Sequence, residues 1–78
     1  MDKLKTFLKS MPMAARHEFA ERCGTSYAHM RNVAYESRVA GEKLCVAIER
    51  ESEGEVTRAD LRDDWAEIWP ELEELTHV

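Results

Sequence analysis

Four side chains in one short segment, residues 27–32, have the chemistry to read the edges of DNA bases. Arg31 can bond guanine through two parallel hydrogen bonds, and Asn32 can bond adenine in the same way. The methyl group of Ala28 can contact the methyl group of thymine, and Tyr27 can reach a sugar or a phosphate. Because one helix would carry all four residues, it could lie in the major groove. The segment therefore predicts base contacts from Tyr27, Ala28, Arg31 and Asn32.

A second group of residues around that segment suits the phosphate backbone. Lysine and arginine supply positive charge, hydroxyl groups donate hydrogen bonds, and the free amides at the start of a helix attract anions. The predicted backbone contacts are Arg16, Thr25, Ser26, Arg38, Gly41 and Lys43. Backbone contacts carry no sequence information, so these residues would position the protein while the base contacts select the site.

A helix-turn-helix over residues 13–35 would place both groups on one surface. Two helices that cross steeply need a small residue where they approach, a glycine four residues later, and apolar residues on the inner face of the second helix. These requirements are met, in order, by Ala20, Gly24, Met30 and Val33. The two predicted helices cover about residues 13–22 and 26–35, and Thr25 or Ser26 caps the second.

Two further amphipathic helices are predicted on either side of this motif. The first covers residues 2–9. Ser10 can then cap the free amides of the next helix, and Pro12 suits the first turn of that helix because proline loses no hydrogen bond there. The other helix covers about residues 41–50. The residues that these two helices turn inward are Leu4, Phe7, Leu8, Leu44, Cys45, Ala47 and Ile48.

The C-terminal segment, residues 56–75, is predicted to pack on this core or to form a dimer contact. Thr57 and Asp60 have the spacing of a capping box, and Asp63 or Asp64 can cap a last helix that Pro70 interrupts. The apolar face of that helix consists of Trp65, Ile68, Trp69 and Leu72. No stretch alternates with period two for long enough to predict a regular strand, although residues 55–57 could form a small one. The whole chain, residues 1–78, is predicted to be one all-α domain, a compact helix-turn-helix bundle of about five short helices, like the lambda-repressor DNA-binding domain.

Net charge is distributed unevenly along the chain. The 78 residues carry a formal charge of -5, which alone argues against a nucleic-acid partner. Residues 1–50, however, hold nine Lys and Arg against six Asp and Glu, whereas residues 51–78 hold two arginines against ten acids. The predicted helix-turn-helix therefore lies in a basic part with a charge of +3, and the acidity belongs to the C-terminal third.

The sequence resembles the Cro-type regulators of temperate phages and prophages, most closely the YdaS-like family. The stretches that carry the resemblance are KLKTFL, FAERCGTSYAHMRNVA and AIERESEGEVTRADLRDDWAEIWPEL, which together cover nearly the whole chain. The resemblance implies a small operator-binding transcriptional regulator, sometimes the antitoxin of a two-gene toxin-antitoxin module. The family's recognition-helix positions fall on Tyr27, Ala28, Arg31 and Asn32. A two-fold dimer would then read an inverted repeat with half-sites one DNA turn apart.

Other function classes find less support in the sequence. No CxxC or HxxxH spacing indicates a metal site, and no nucleophile is paired with a base. We therefore expect no bound metal, no cofactor and no enzymatic activity. Cys23 and Cys45 are predicted to be reduced thiols in the core. The alternative function is a protein-interaction module, in which the C-terminal helix binds a partner such as a toxin. The N-terminus lacks a signal peptide or a membrane span, so the expected location is the cytoplasm.

Overall fold

The computed structural model describes residues 2–36 and 38–72, and within them the architecture is all-α, as predicted. The helix that begins at Trp65 ends at Ile68, and a further helical turn covers residues 70–72, so Pro70 interrupts the C-terminal helix, as predicted. None of the described helices is long and apolar enough to cross a membrane. The predicted packing segment extends to residue 75, and its last three residues lie outside the described part. The helices are α1 Asp2–Lys9, α2 Met13–Arg22, α3 Tyr27–Tyr35, α4 Glu42–Glu51, α5 Arg58–Leu61 and α6 Trp65–Ile68.

One core joins all the helices except α6. Phe19 of α2 is fully buried, and its ring lies 5.0 Å from the ring of Phe7, centroid to centroid. Burying a side chain of this size stabilises the fold by about 1.5–3 kcal/mol. The other buried side chains of the core are Leu4, Leu8, Ala20, Cys23, Met30, Val33, Ala34, Ala40, Cys45, Ala47, Ile48, Val56 and Leu61. Both cysteines are free and buried, as predicted.

The turn between α2 and α3 has the predicted chemistry. Gly24 has a φ of +80°, and its amide donates to the carbonyl of Glu21 at 2.9 Å. The amide of Thr25 donates to the carbonyl of Ala20 at 3.0 Å, which completes a Schellman motif. The hydroxyl of Ser26 then accepts from the amide of His29 at 3.1 Å and caps α3. The reversal therefore fixes both helix ends within four residues.

Three local predictions were wrong. Ser10 does not cap α2, because its hydroxyl donates to the carbonyl of Phe7 at 2.5 Å and so satisfies the end of α1. Asp64 occupies the N-cap position of α6 without capping it, because Arg62 binds both of its carboxylate oxygens, at 2.8 and 3.0 Å. Residues 55–57 form no strand in the described structure. The hydroxyl of Ser52 accepts from the buried amide of Val56 at 3.1 Å, so this amide needs no partner strand.

The capping box at the start of α5 is present. Thr57 accepts from the amide of Asp60 at 3.2 Å, and the Asp60 carboxylate accepts from the amide of Thr57 at 2.9 Å. The capping box thus satisfies the amides of Thr57 and Asp60 at the start of the four-residue helix α5.

Candidate nucleic-acid interface

Helix α3 separates its buried residues from the predicted base contacts. Met30, Val33 and Ala34 are 0–1% exposed and face the core. Ala28 and Arg31 are exposed on the opposite side, and Asn32 at the edge is half-buried. The ring of Tyr35 lies near the Arg31 guanidinium, whose central carbon is 5.4 Å from the ring centroid. Side chains that can read bases therefore occupy the solvent-facing side of α3.

Tyr27 and Arg16 lie side by side, although they belong to different helices. The Tyr27 ring packs against the core and lies 4.9 Å from the His17 ring, centroid to centroid. Arg16 Nη1 donates to the Tyr27 hydroxyl at 3.5 Å, and Arg16 Nε donates to the carbonyl of Met11 at 2.8 Å. Because the Tyr27 ring packs against the core, its hydroxyl is the part of the side chain that can contact a ligand. Arg16 is likewise held in place, with its terminal nitrogens beside that hydroxyl.

Three of the predicted backbone contacts meet at one open groove. Thr25 from the α2–α3 turn, Gly41 before α4 and Lys43 in its first turn all line this groove, together with His29. Gly41 is the N-cap of α4, and no side chain caps the first turn of that helix in the described structure. The first amides of α4 are thus free to bind an anion next to the Lys43 ammonium.

Arg38 lies apart from this groove. It lines a different one with Asp60, Asp63 and Asp64, the acidic residues around α5. Its predicted phosphate contact would therefore be made next to carboxylates. Of the predicted backbone contacts, Arg38 has the least favourable electrostatic surroundings.

The eleven lysines and arginines fall into two classes by their partners. Five of them form ion pairs: Lys3 with Asp60, Arg22 with Glu51, Arg50 with Glu51, Arg58 with Glu49 and Arg62 with Asp64. The other six pair with no carboxylate of residues 2–36 and 38–72. They are Lys5, Lys9, Arg16, Arg31, Arg38 and Lys43. All four predicted DNA-contacting cations belong to this unpaired class.

The pKa shifts agree with this division. The hydrogen bond from Arg50 lowers the pKa of Glu51 against the effect of desolvation, and Arg22 adds to it. The hydrogen bond from Arg62 likewise lowers the pKa of Asp64. Both carboxylates stay ionised and neutralise nearby arginines. Burial raises the pKa of Cys23 to about 11, so that thiol is neutral and not a nucleophile at physiological pH.

Two residues of the unpaired class, Lys5 and Lys9, were missed by the sequence reasoning. They lie one turn apart on α1, and both approach the ring of Tyr35 on α3. The available signal was their spacing of four residues, which puts them on one side of a helix. Nothing in the sequence said that this side would adjoin α3.

No family model, curated protein or solved structure matches the chain. Within the described residues, no group of three or more His, Cys, Asp or Glu side chains is arranged to hold a metal ion. The functional interpretation therefore depends on the geometry and charge of the surface around α3.

Proposed function

We propose that the protein is a sequence-specific double-stranded DNA-binding transcriptional regulator that inserts α3 into the major groove. The observation that supports this function is the division of the cations. Arginines outside the predicted interface are paired with carboxylates, whereas Arg16, Arg31, Arg38 and Lys43 form no ion pair within the described residues. Unpaired cations around a helix with exposed base-reading side chains are what phosphate binding and base recognition require.

Each contact has a defined part in this mechanism. Arg31 and Asn32 read purine edges, and Ala28 contacts a thymine methyl. The free amides of α4, with Lys43 and Thr25, hold a phosphate on one side of the groove, and Arg16 with the Tyr27 hydroxyl holds another. Such a domain represses most simply by occupying a promoter, as a Cro-type repressor of a phage or prophage does, and it would act in the cytoplasm of its host.

We also propose that the protein binds as a two-fold dimer on an inverted repeat. Trp65, Ile68, Trp69 and Leu72 are each half-buried, so apolar surface remains available at the C-terminal end. Val46 of α4 is 36% exposed and lines one groove with Trp69. Pairing of two such surfaces would bury them both, and it would set two α3 helices about 34 Å apart, one turn of DNA.

The experiment that tests the proposal is selection from a random duplex library at near-physiological salt, followed by titration of the selected sequence. We expect an inverted repeat with half-sites about one turn apart. The variant Arg31→Ala/Asn32→Ala should bind it more weakly, because each base contact contributes about 1–3 kcal/mol, roughly 5- to 150-fold in affinity.

The matched control is Lys3→Ala, which removes one positive charge from a lysine that already pairs with Asp60. It should bind like the parent. Equal binding by the double variant and the parent would contradict the assignment of α3 as the reader. Selection of no sequence by folded protein would contradict DNA binding itself and favour the protein-interaction module.

A further inference from the structure

Three cations converge on one exposed aromatic ring at the junction of α1 and α3. The Nζ atoms of Lys5 and Lys9 lie 5.4 and 6.0 Å from the ring centroid of Tyr35, and the central carbon of the Arg31 guanidinium lies 5.4 Å from it. The Tyr35 side chain is open to solvent, since the residue is 37% exposed. We call Lys5, Lys9, Arg31 and Tyr35 the Tyr35 cluster.

The Tyr35 cluster lacks the negative charge that would normally accompany three cations. None of the three forms an ion pair with a carboxylate in the described residues, although the chain has more acids than bases. The electron-rich face of the ring offsets part of the mutual repulsion. The remaining positive potential is available to an anion from outside the fold.

The position of Arg31 indicates which anion the Tyr35 cluster binds. Arg31 is one of the proposed base contacts of α3, and it also borders the ring that Lys5 and Lys9 approach. The two lysines are therefore continuous with the surface that faces DNA. Lysine ammonium groups act as point charges without the planar geometry that base edges require, so they suit phosphates better than bases.

We propose that Lys5 and Lys9 of the Tyr35 cluster form a further phosphate-binding site, through which α1 contacts the DNA backbone next to the bases read by Arg31 and its neighbours on α3. This inference rests on the proposed function. It adds a helix outside the helix-turn-helix to the interface, and it assigns Lys5 and Lys9 to affinity and position rather than to sequence choice.

The test is the salt dependence of DNA binding by Lys5→Gln/Lys9→Gln. Each phosphate contact contributes about 0.9 to the slope of log K against log salt concentration, so the slope should become shallower by about 1.8 for each protomer, or about 3.6 for the two-fold dimer. The loss should be the same on the selected operator and on unrelated DNA. Lys5→Arg/Lys9→Arg, which keeps both charges, should retain the slope of the parent.

The matched control is Lys3→Gln/Arg22→Gln. It removes two charges as well, one of them from the same helix, but both come from residues that already pair with Asp60 and Glu51. Its slope should stay close to that of the parent. Ethylation interference with the unaltered protein gives a second readout that needs no variant, and it should detect phosphates just outside each half-site.

The outcomes separate the two proposals. If the parent binds its operator but the double lysine variant keeps the full slope, the phosphate site is wrong while the function of α3 stands, and an acidic protein surface becomes the better ligand for the cluster. If the control loses as much slope as the variant, the effect is general and the site is also wrong. If the parent binds no DNA, both proposals fail.

Discussion

The guanidinium of Arg58 lies over the indole ring of Trp69, with its central carbon 5.2 Å from the ring centroid. Its Nε donates to Oε2 of Glu49 at 2.9 Å, and the backbone amide of Arg58 donates to Oε1 at 3.2 Å. One arginine therefore connects α4, the start of α5 and the residue after α6. Trp69 therefore has a packing role within the chain, in addition to any contact that its exposed part makes.

Replacing Arg58 should destabilise the fold more than replacing an exposed arginine. Arg58→Ala removes a charged hydrogen bond and the contact with the ring, and we expect a loss of about 1–2 kcal/mol in the free energy of unfolding, measured in urea. Arg58→Lys should recover only part of it, because lysine lacks the planar Nε donor. Arg50→Ala is the control, since Arg50 is exposed, and it should cost less. Equal losses would show that the Glu49 and Trp69 contacts contribute nothing.

The dimer proposal is best tested at Val46. Trp69→Ala would weaken a shared interface, but it would also remove the partner of Arg58, so a change in assembly would have two explanations. Val46→Glu places a charge on the exposed side of α4 without altering the buried core. Sedimentation should show a dissociation constant raised by about tenfold or more, with the thermal midpoint nearly unchanged at concentrations where the parent is monomeric. An unaltered dissociation constant would place the dimer contact elsewhere.

Stability should depend on the ionisation of Asp60. Burial favours the neutral carboxyl, but the hydrogen bonds from Thr57 and the nearby Lys3 ammonium outweigh it, so the pKa of Asp60 is lowered below its ordinary value of 3.8. A lowered pKa means stability that is present above about pH 4 and lost as the pH falls through the folded-state value. Asp60→Ala should therefore cost about 1 kcal/mol at pH 7.

That cost should shrink as the pH falls through the folded-state pKa of Asp60, because the protonated parent then loses the same interactions. Urea unfolding at neutral pH and at a series of acidic pH values measures the difference. Asp63→Ala is the matched control, since Asp63 is exposed and the described structure gives it no hydrogen bond or ion pair. A cost for Asp60→Ala that is independent of pH would mean that the charge plays no part.

Gly24→Ala tests the reversal between α2 and α3. A Cβ at this position would meet no atom within 4 Å, so the cost must come from the φ of +80° alone. We expect a loss of about 1 kcal/mol in urea unfolding. Gly41→Ala is the control, because it has equal space but a φ of -63°, and it should lose less. If both variants unfold alike, the left-handed turn is not the cause.

The predictions that held depended on residues close together in the sequence. Helix bounds followed from apolar spacing, and α2 and α3 begin and end within a residue of their predicted limits. Gly24, Ser26 and the Thr57–Asp60 box each act within five residues, so their chemistry is visible without the fold.

The features that escaped prediction depend on competition or on distance. Asp64 has the right type and position for a cap, but Arg62, two residues earlier, binds its carboxylate instead. The pairing of Arg22 with Glu51 spans 29 residues and could not be read from either segment. The four cations that the sequence singled out are all unpaired within the described residues, but the sequence did not show which carboxylates the other arginines would bind.

The bonds between the basic and the acidic parts of the chain have a consequence for how the protein can be divided. Glu51 holds Arg22, and Arg62 Nη1 donates to the carbonyl of Ala40 at 2.8 Å, immediately before the N-cap of α4. Val56 and Leu61 belong to the same core as α1–α4. A fragment that ends where the charge changes sign would lose these supports and expose that core to water. Residues 51–61 and Arg62 are thus a structural support for the basic part of the chain, and a domain transplanted into another protein should include them.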